Sequence, residues 1–176
     1  MWSPIQPESL TDQYWNVVWS RPYTNYIKHH QFIWSEVKKR CSGKILDLGC
    51  GSSIMWNGED VDLTGVDFSL EAIQQSLINY PNGHFRVSSV ESVPLTDKFE
   101  TVVLCGVVNY FQNLEKIKNE AVRLCGGKII VTINRINDFP GREWDEKTIM
   151  TEFSRWGKIQ EVVHFPGIIY LIVIAV

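Results

Sequence analysis

No apolar run in this chain approaches the ~20 residues that a membrane-spanning helix needs; the longest, Ile168 to Val176, is less than half that. Cysteine is sparse: Cys41, Cys50, Cys105 and Cys125, with no C-x-x-C pair. The four histidines are not clustered as zinc ligands would be. Free thiols beside apolar strands, and no basic, apolar leader after Met1-Trp2-Ser3-Pro4, lead to the expectation of a cytoplasmic protein with no membrane attachment. There is also no basic block. With 17 Lys and Arg against 20 Asp and Glu, mixed along the chain, the net charge is −3, which argues against a nucleic-acid partner. Repeats and low-complexity stretches are absent.

What is abundant is tryptophan, seven in 176 residues, and four of them (Trp2, Trp15, Trp19, Trp34) precede the first predicted strand. An apolar fraction of 44% suffices for one domain with a sizeable core. From about Thr11 to Arg40, apolar residues recur at helical spacing, and Arg21-Pro22 divides the stretch into two helices. Strands and helices then alternate. Strands are predicted at 44–48, 63–66, 84–87, 101–105 and 128–133, and helices at 70–79, 114–124 and 144–153. The helix at 114–124 is expected to stop at Gly126-Gly127. Two closing strands, 159–163 and 168–174, flank the turn Phe165-Pro166-Gly167. Alternation implies a mostly parallel sheet covered on both faces, and the short final turn implies an antiparallel last strand.

Between the first two strands lies Ile45-Leu46-Asp47-Leu48-Gly49-Cys50-Gly51-Ser52-Ser53, then Thr64-Gly65-Val66-Asp67-Phe68-Ser69. A glycine turn lets backbone approach a ligand, and an acid closing the next strand can accept from ribose hydroxyls. The dinucleotide fingerprint needs a third glycine where Ile54 stands, which disfavours an NAD site. Asp47 would repel a pyrophosphate but suits a ligand with a positive end. Only eleven residues separate Gly51 from Leu63, so the crossover helix must be stunted, one or two turns from Ser53 to Trp56.

These residues resemble motif I, and the acidic element after it, of the class I SAM-dependent methyltransferases. The resemblance extends over roughly Lys44 to Val176. It implies a three-layer, doubly wound α/β fold of about seven strands. A single 1–176 domain would comprise a helical lid or cap (1–43) and a Rossmann-like core (44–176). It implies S-adenosylmethionine as cofactor and S-adenosylhomocysteine as product. In the family pattern Asp47 faces the methionine end, Gly49, Cys50 and Gly51 line it, and Asp67 takes the ribose hydroxyls with Phe68 beside it. Ser88 to Leu95 resembles the adenine element, with Ser89 where the family has an acid and Val90 as a backbone donor. A local capping role for Ser89 is equally open. Phe99 to Gly106 resembles the fourth-strand motif and brings Cys105 to the site. Ser53 stands where the family often has glycine.

The family's occasional histidine after the fourth strand is missing, so no general base is assigned. Asn109 and Tyr110 are candidates for orienting a substrate, or for packing and capping. Tyr14, Trp15 and Arg135 are candidate substrate contacts, with Trp19, Tyr23 and Tyr26 as further lid aromatics. The expected activity is methyl transfer to a small-molecule acceptor. A non-catalytic SAM-binding partner protein, and a methyltransferase acting on RNA or protein, stay open as alternatives.

Overall fold

The protein is described by a computed structural model covering residues 12–20, 24–134, 144–165 and 169–176, with side chains from residue 15 in the first helix and residue 30 in the second. In chain order its elements are α1 (Asp12–Trp19), α2 (Thr24–Lys38), β1 (Ile45–Leu48), a 3-10 turn (Ile54–Trp56), β2 (Leu63–Asp67), α3 (Leu70–Asn79) and β3 (His84–Val87). There follow β4 (Phe99–Cys105), a second 3-10 turn (Val108–Tyr110), α4 (Glu115–Leu124), β5 (Cys125–Asn134), α5 (Glu146–Phe153), β6 (Lys158–Phe165) and β7 (Ile169–Ala175).

The seven strands form one sheet in the order β3-β2-β1-β4-β5-β7-β6. All neighbours among the first five pair in parallel, while β7 runs antiparallel to both β5 and β6. From β1 the chain winds outward through β2 and β3, then returns to β4 on β1's other side. Such a reversal opens a crevice beyond the carboxyl ends of the two central strands.

Successive strand residues point to opposite faces, so each central strand feeds two cores. Leu46, Leu48, Val102, Leu104, Ile129 and Val131 meet α4 and α5. Ile45, Val103, Ile130, Leu171 and Val173 meet Ile33, Trp34 and Val37 of α2, together with Met55 and Trp56. Helix α2 is thus a covering layer of the sheet. Just past its end, Arg40 donates from Nε (2.8 Å) and Nη2 (2.7 Å) to the two carboxylate oxygens of Glu161 on β6.

Local chemistry explains the helices. The Ser69 hydroxyl caps α3 by accepting from the Ala72 N–H (3.2 Å), and Asp145 caps α5 through the Thr148 N–H (2.7 Å). Helix α4 buries Ile117, Ala121 and Leu124, a stripe at helical spacing. One expectation fails here: Gly126-Gly127 does not terminate α4. Cys125 is already extended and opens β5 directly. Glycine is needed because the β4–β5 register shifts between Phe99 and Thr101. A Cβ on Gly127 would stand 2.6 Å from the Glu100 carbonyl oxygen. Among the described residues, no helix is long and apolar enough to cross a membrane.

Candidate active site

The crevice at the switch point holds a cavity of about 370 Å³, inside the ~300–1,000 Å³ range of small-molecule sites. Its floor is the turn after β1. Gly49 (φ 75°), Gly51 (φ 53°) and Ser53 (φ 52°) are all left-handed, and the Gly49 N–H donates to the Val66 carbonyl at 2.7 Å. For Ser53 this conformation costs about 1–2 kcal/mol relative to the right-handed region. Its hydroxyl is held by Ser76, whose Oγ lies 2.9 Å away.

Asp67 closes β2 and is 5% exposed. One carboxylate oxygen accepts from the Gly51 N–H and the other from the Ser69 N–H, both at 2.9 Å. The carboxylate therefore ties the glycine turn to the start of α3. Each oxygen keeps a second lone pair that a ribose hydroxyl can use. Burial pushes its pKa up, and the backbone N–H groups of Ser69, Gly51 and Phe68 oppose that rise.

Asp47 is 2% exposed and points to the α2 face of the sheet. Its Oδ2 accepts from the Trp56 indole N–H at 2.7 Å, whereas Oδ1 is buried with no partner among the described residues. Burial raises its pKa to about 7, the indole opposes the rise, and the Asp67 charge adds to it. A buried carboxylate oxygen on the cavity wall without a donor is where an ammonium belongs. The donor set thus fits S-adenosylmethionine: Asp47 for the ammonium, Asp67 for the ribose, and left-handed backbone between them.

Helix α1 forms the roof. Asn16 Oδ1 accepts from the Ser69 hydroxyl at 2.6 Å, and the Gln75 side-chain amide donates to the Trp19 carbonyl. The Trp19 indole lies directly on Gly51, in the space a Cβ would occupy. Trp15 meets the Tyr110 ring edge-on, centroids 4.9 Å apart at 80°.

All nine cofactor candidates read from the sequence, Asp47, Gly49, Cys50, Gly51, Asp67, Phe68, Ser89, Val90 and Cys105, line this cavity. So do Trp15 and Tyr110. Asn109 is instead buried at 3% and does not line it. Arg135, Tyr23 and the side chains of Tyr14 and Tyr26 lie outside the described residues. The exposed Ser89 hydroxyl accepts from the Glu91 N–H at 3.2 Å, a local capping bond. Glu91 itself lines the cavity; sequence reasoning passed over it, although it follows Ser89 by two residues. Trp56 was also missed as Asp47's partner. The short crossover was the available signal, because a single turn brings residue 56 back beneath the strand it left.

The family described as "Methyltransferase domain" matches residues 40–167. The chain belongs to that family. Its fold is that of the class I SAM-dependent methyltransferases. The magnesium protoporphyrin IX methyltransferase of Synechocystis PCC 6803, solved with bound SAM, superposes with a TM-score of 0.69 at 17% identity, over 99% of both chains. The N-methyltransferase NodS of Bradyrhizobium japonicum WM9 gives 0.70 at 14% identity, over 88% of this chain and 98% of its own. At such identities the likeness concerns the fold. In sequence, a tRNA U34 carboxymethyltransferase of Shewanella halifaxensis is 28% identical over 138 residues. That match takes in 70% of this chain but 39% of the relative, so the chain spans well under half of that relative's length.

Proposed function

We propose that this chain transfers a methyl group from S-adenosylmethionine to a small-molecule acceptor. The observation that carries the reading is the pair of buried acids at the switch point. Asp47, the last but one residue of β1, has one oxygen unpartnered among the described residues, and Asp67 ends β2 on the far side of the same turn.

Bound S-adenosylmethionine supplies an electrophilic methyl carbon on a cationic sulfur. The protein's part is position and exclusion. Asp47 fixes the ammonium end and Asp67 the ribose, so the reacting carbon has little freedom between them. Such alignment alone removes several kcal/mol of barrier (roughly 7–11 at the upper end). Trp15, Trp19, Tyr110 and Phe111 line the remaining space and give it apolar walls. A general base is required only for an acceptor that arrives protonated and weakly acidic.

Calorimetric titration with S-adenosylhomocysteine tests the reading. Saturable binding supports it, and none at all sinks it. Methyl transfer to any member of an acceptor panel then excludes a purely regulatory binding protein.

An RNA acceptor is the second reading, favoured by the name of the 28% identical relative. Against it stand the net charge of −3 and a cavity with no Lys or Arg among its described lining residues. Affinity for RNA rests on basic contacts to phosphate. A carboxymethyl group would add a further negative charge beside Asp47, Asp67 and Glu91. Incubation with bulk tRNA and labelled cofactor decides: label in RNA would replace the small-molecule reading.

A further inference from the structure

Three carboxylates, Asp47, Asp67 and Glu91, line the cavity, and among its described lining residues there is no Lys, Arg or His. Two of the three are almost wholly buried, and Asp47 keeps an oxygen with no donor. S-adenosylmethionine offsets part of this charge, since its ammonium and sulfonium outweigh its single carboxylate. It leaves nothing over to neutralise an anionic acceptor.

The walls not used by the two acids and the adenine loop are aromatic. Trp15 and Trp19 hang from α1, while Tyr110 and Phe111 follow β4. The two groups meet where the Trp15 and Tyr110 rings pack T-shaped, centroids 4.9 Å apart at 80°. Two rings set nearly at right angles make a corner: a flat ring can lie on one face and present its edge to the other. Aromatic faces also attract cations and repel anions.

Resting on the reading of this cavity as a methyl-transfer site, we propose that its acceptor is a planar aromatic compound, neutral or cationic, without carboxylate or phosphate. The ring packs in the Trp15–Tyr110 corner. The charge rule comes from the acid-lined floor and the shape rule from the corner, so each can fail separately.

The test uses two probes of nearly equal size that differ in the charge of one arm, tryptamine and indole-3-acetate. Each is titrated by calorimetry into the full chain saturated with S-adenosylhomocysteine. Tryptamine is expected to bind about tenfold more tightly. Trp15→Ala is expected to cut tryptamine affinity by about fivefold or more, beyond any change in S-adenosylhomocysteine affinity, and a native far-UV circular dichroism spectrum shows that the variant is folded. Equal affinities, preference for indole-3-acetate, or no tryptamine binding at millimolar concentration overturns the proposal. Failure of S-adenosylhomocysteine itself to bind overturns the underlying methyl-transfer reading, a result seen before either probe is added.

Discussion

The Trp56 indole N–H donates to Asp47 Oδ2 at 2.7 Å, and Oδ1 of the same carboxylate is buried without a donor among the described residues. With its pKa raised to about 7, Asp47 is half protonated near neutrality. Only the carboxylate can hold an ammonium. S-adenosylhomocysteine affinity is therefore expected to rise by about tenfold between roughly pH 6 and pH 8, then level off. Asp47→Asn should bind weakly with a flat profile. Titration calorimetry across that range checks both; a flat wild-type profile contradicts the assignment.

The same carboxyl links stability to pH. Its folded pKa of about 7 lies above its ordinary 3.8. The stability of the protonated form is fully present below about pH 4 and is lost as pH rises toward 7, on the order of a few kcal/mol in total. Asp47→Asn removes this loss. The ligand-free variant should be more stable than wild type by about 1–3 kcal/mol near pH 8 and no more stable near pH 4. Urea unfolding at the two pH values measures the difference.

Trp56→Phe deletes the indole's hydrogen bond to Asp47 and part of a fully buried ring system. Since that bond favours the carboxylate, its loss should push the midpoint of cofactor binding to higher pH. Stability should fall by about 1–3 kcal/mol. An unchanged binding midpoint would show that the indole does not tune the acid.

Asp67→Ala should weaken S-adenosylhomocysteine binding by more than about tenfold, since it removes hydrogen bonds to a charged acceptor. It also frees the Gly51 and Ser69 N–H groups, so protection of these amides in hydrogen exchange should drop together. Affinity that stays within twofold takes Asp67 out of the site.

Gly51→Ala puts a methyl group into the space of the Trp19 indole on a left-handed backbone. Destabilisation of about 1–3 kcal/mol and a loss of cofactor affinity are expected. Adding Trp19→Ala relieves the overlap but not the backbone strain, so the double variant should recover only part of the stability. Thermal melts of the three variants separate the two causes.

How much of this was legible beforehand depended on whether a property was local. Helix α3 was expected at 70–79 and is found there, because Ser69 caps it and its apolar spacing is regular. Strand β3 likewise matches its prediction at His84–Val87. The stunted crossover followed from counting residues and is a single 3-10 turn at Ile54–Trp56. The Gly126-Gly127 error came from reading a local stop signal without the neighbouring strand, whose register shift brings the Glu100 carbonyl too close to Gly127 for a Cβ. Asp47, Asp67 and the glycines were visible through their motif. Their contacts with Trp56 and Trp19 were not, because those arise only once α1 and the turn fold back over the sheet.

The insertion of β7 between β5 and β6 dictates an order of assembly. Strand β6 is made before β7 but has no place on the sheet until β7 lies along β5. A chain emerging residue by residue can pair β1 through β5 while the backbone edge of β5 waits unpaired. Strand β6 can join only through β7, either together with it or after β7 has paired with β5. Until that closure the β5 edge presents a row of unpaired backbone groups, which is the kind of edge that mispairs during synthesis.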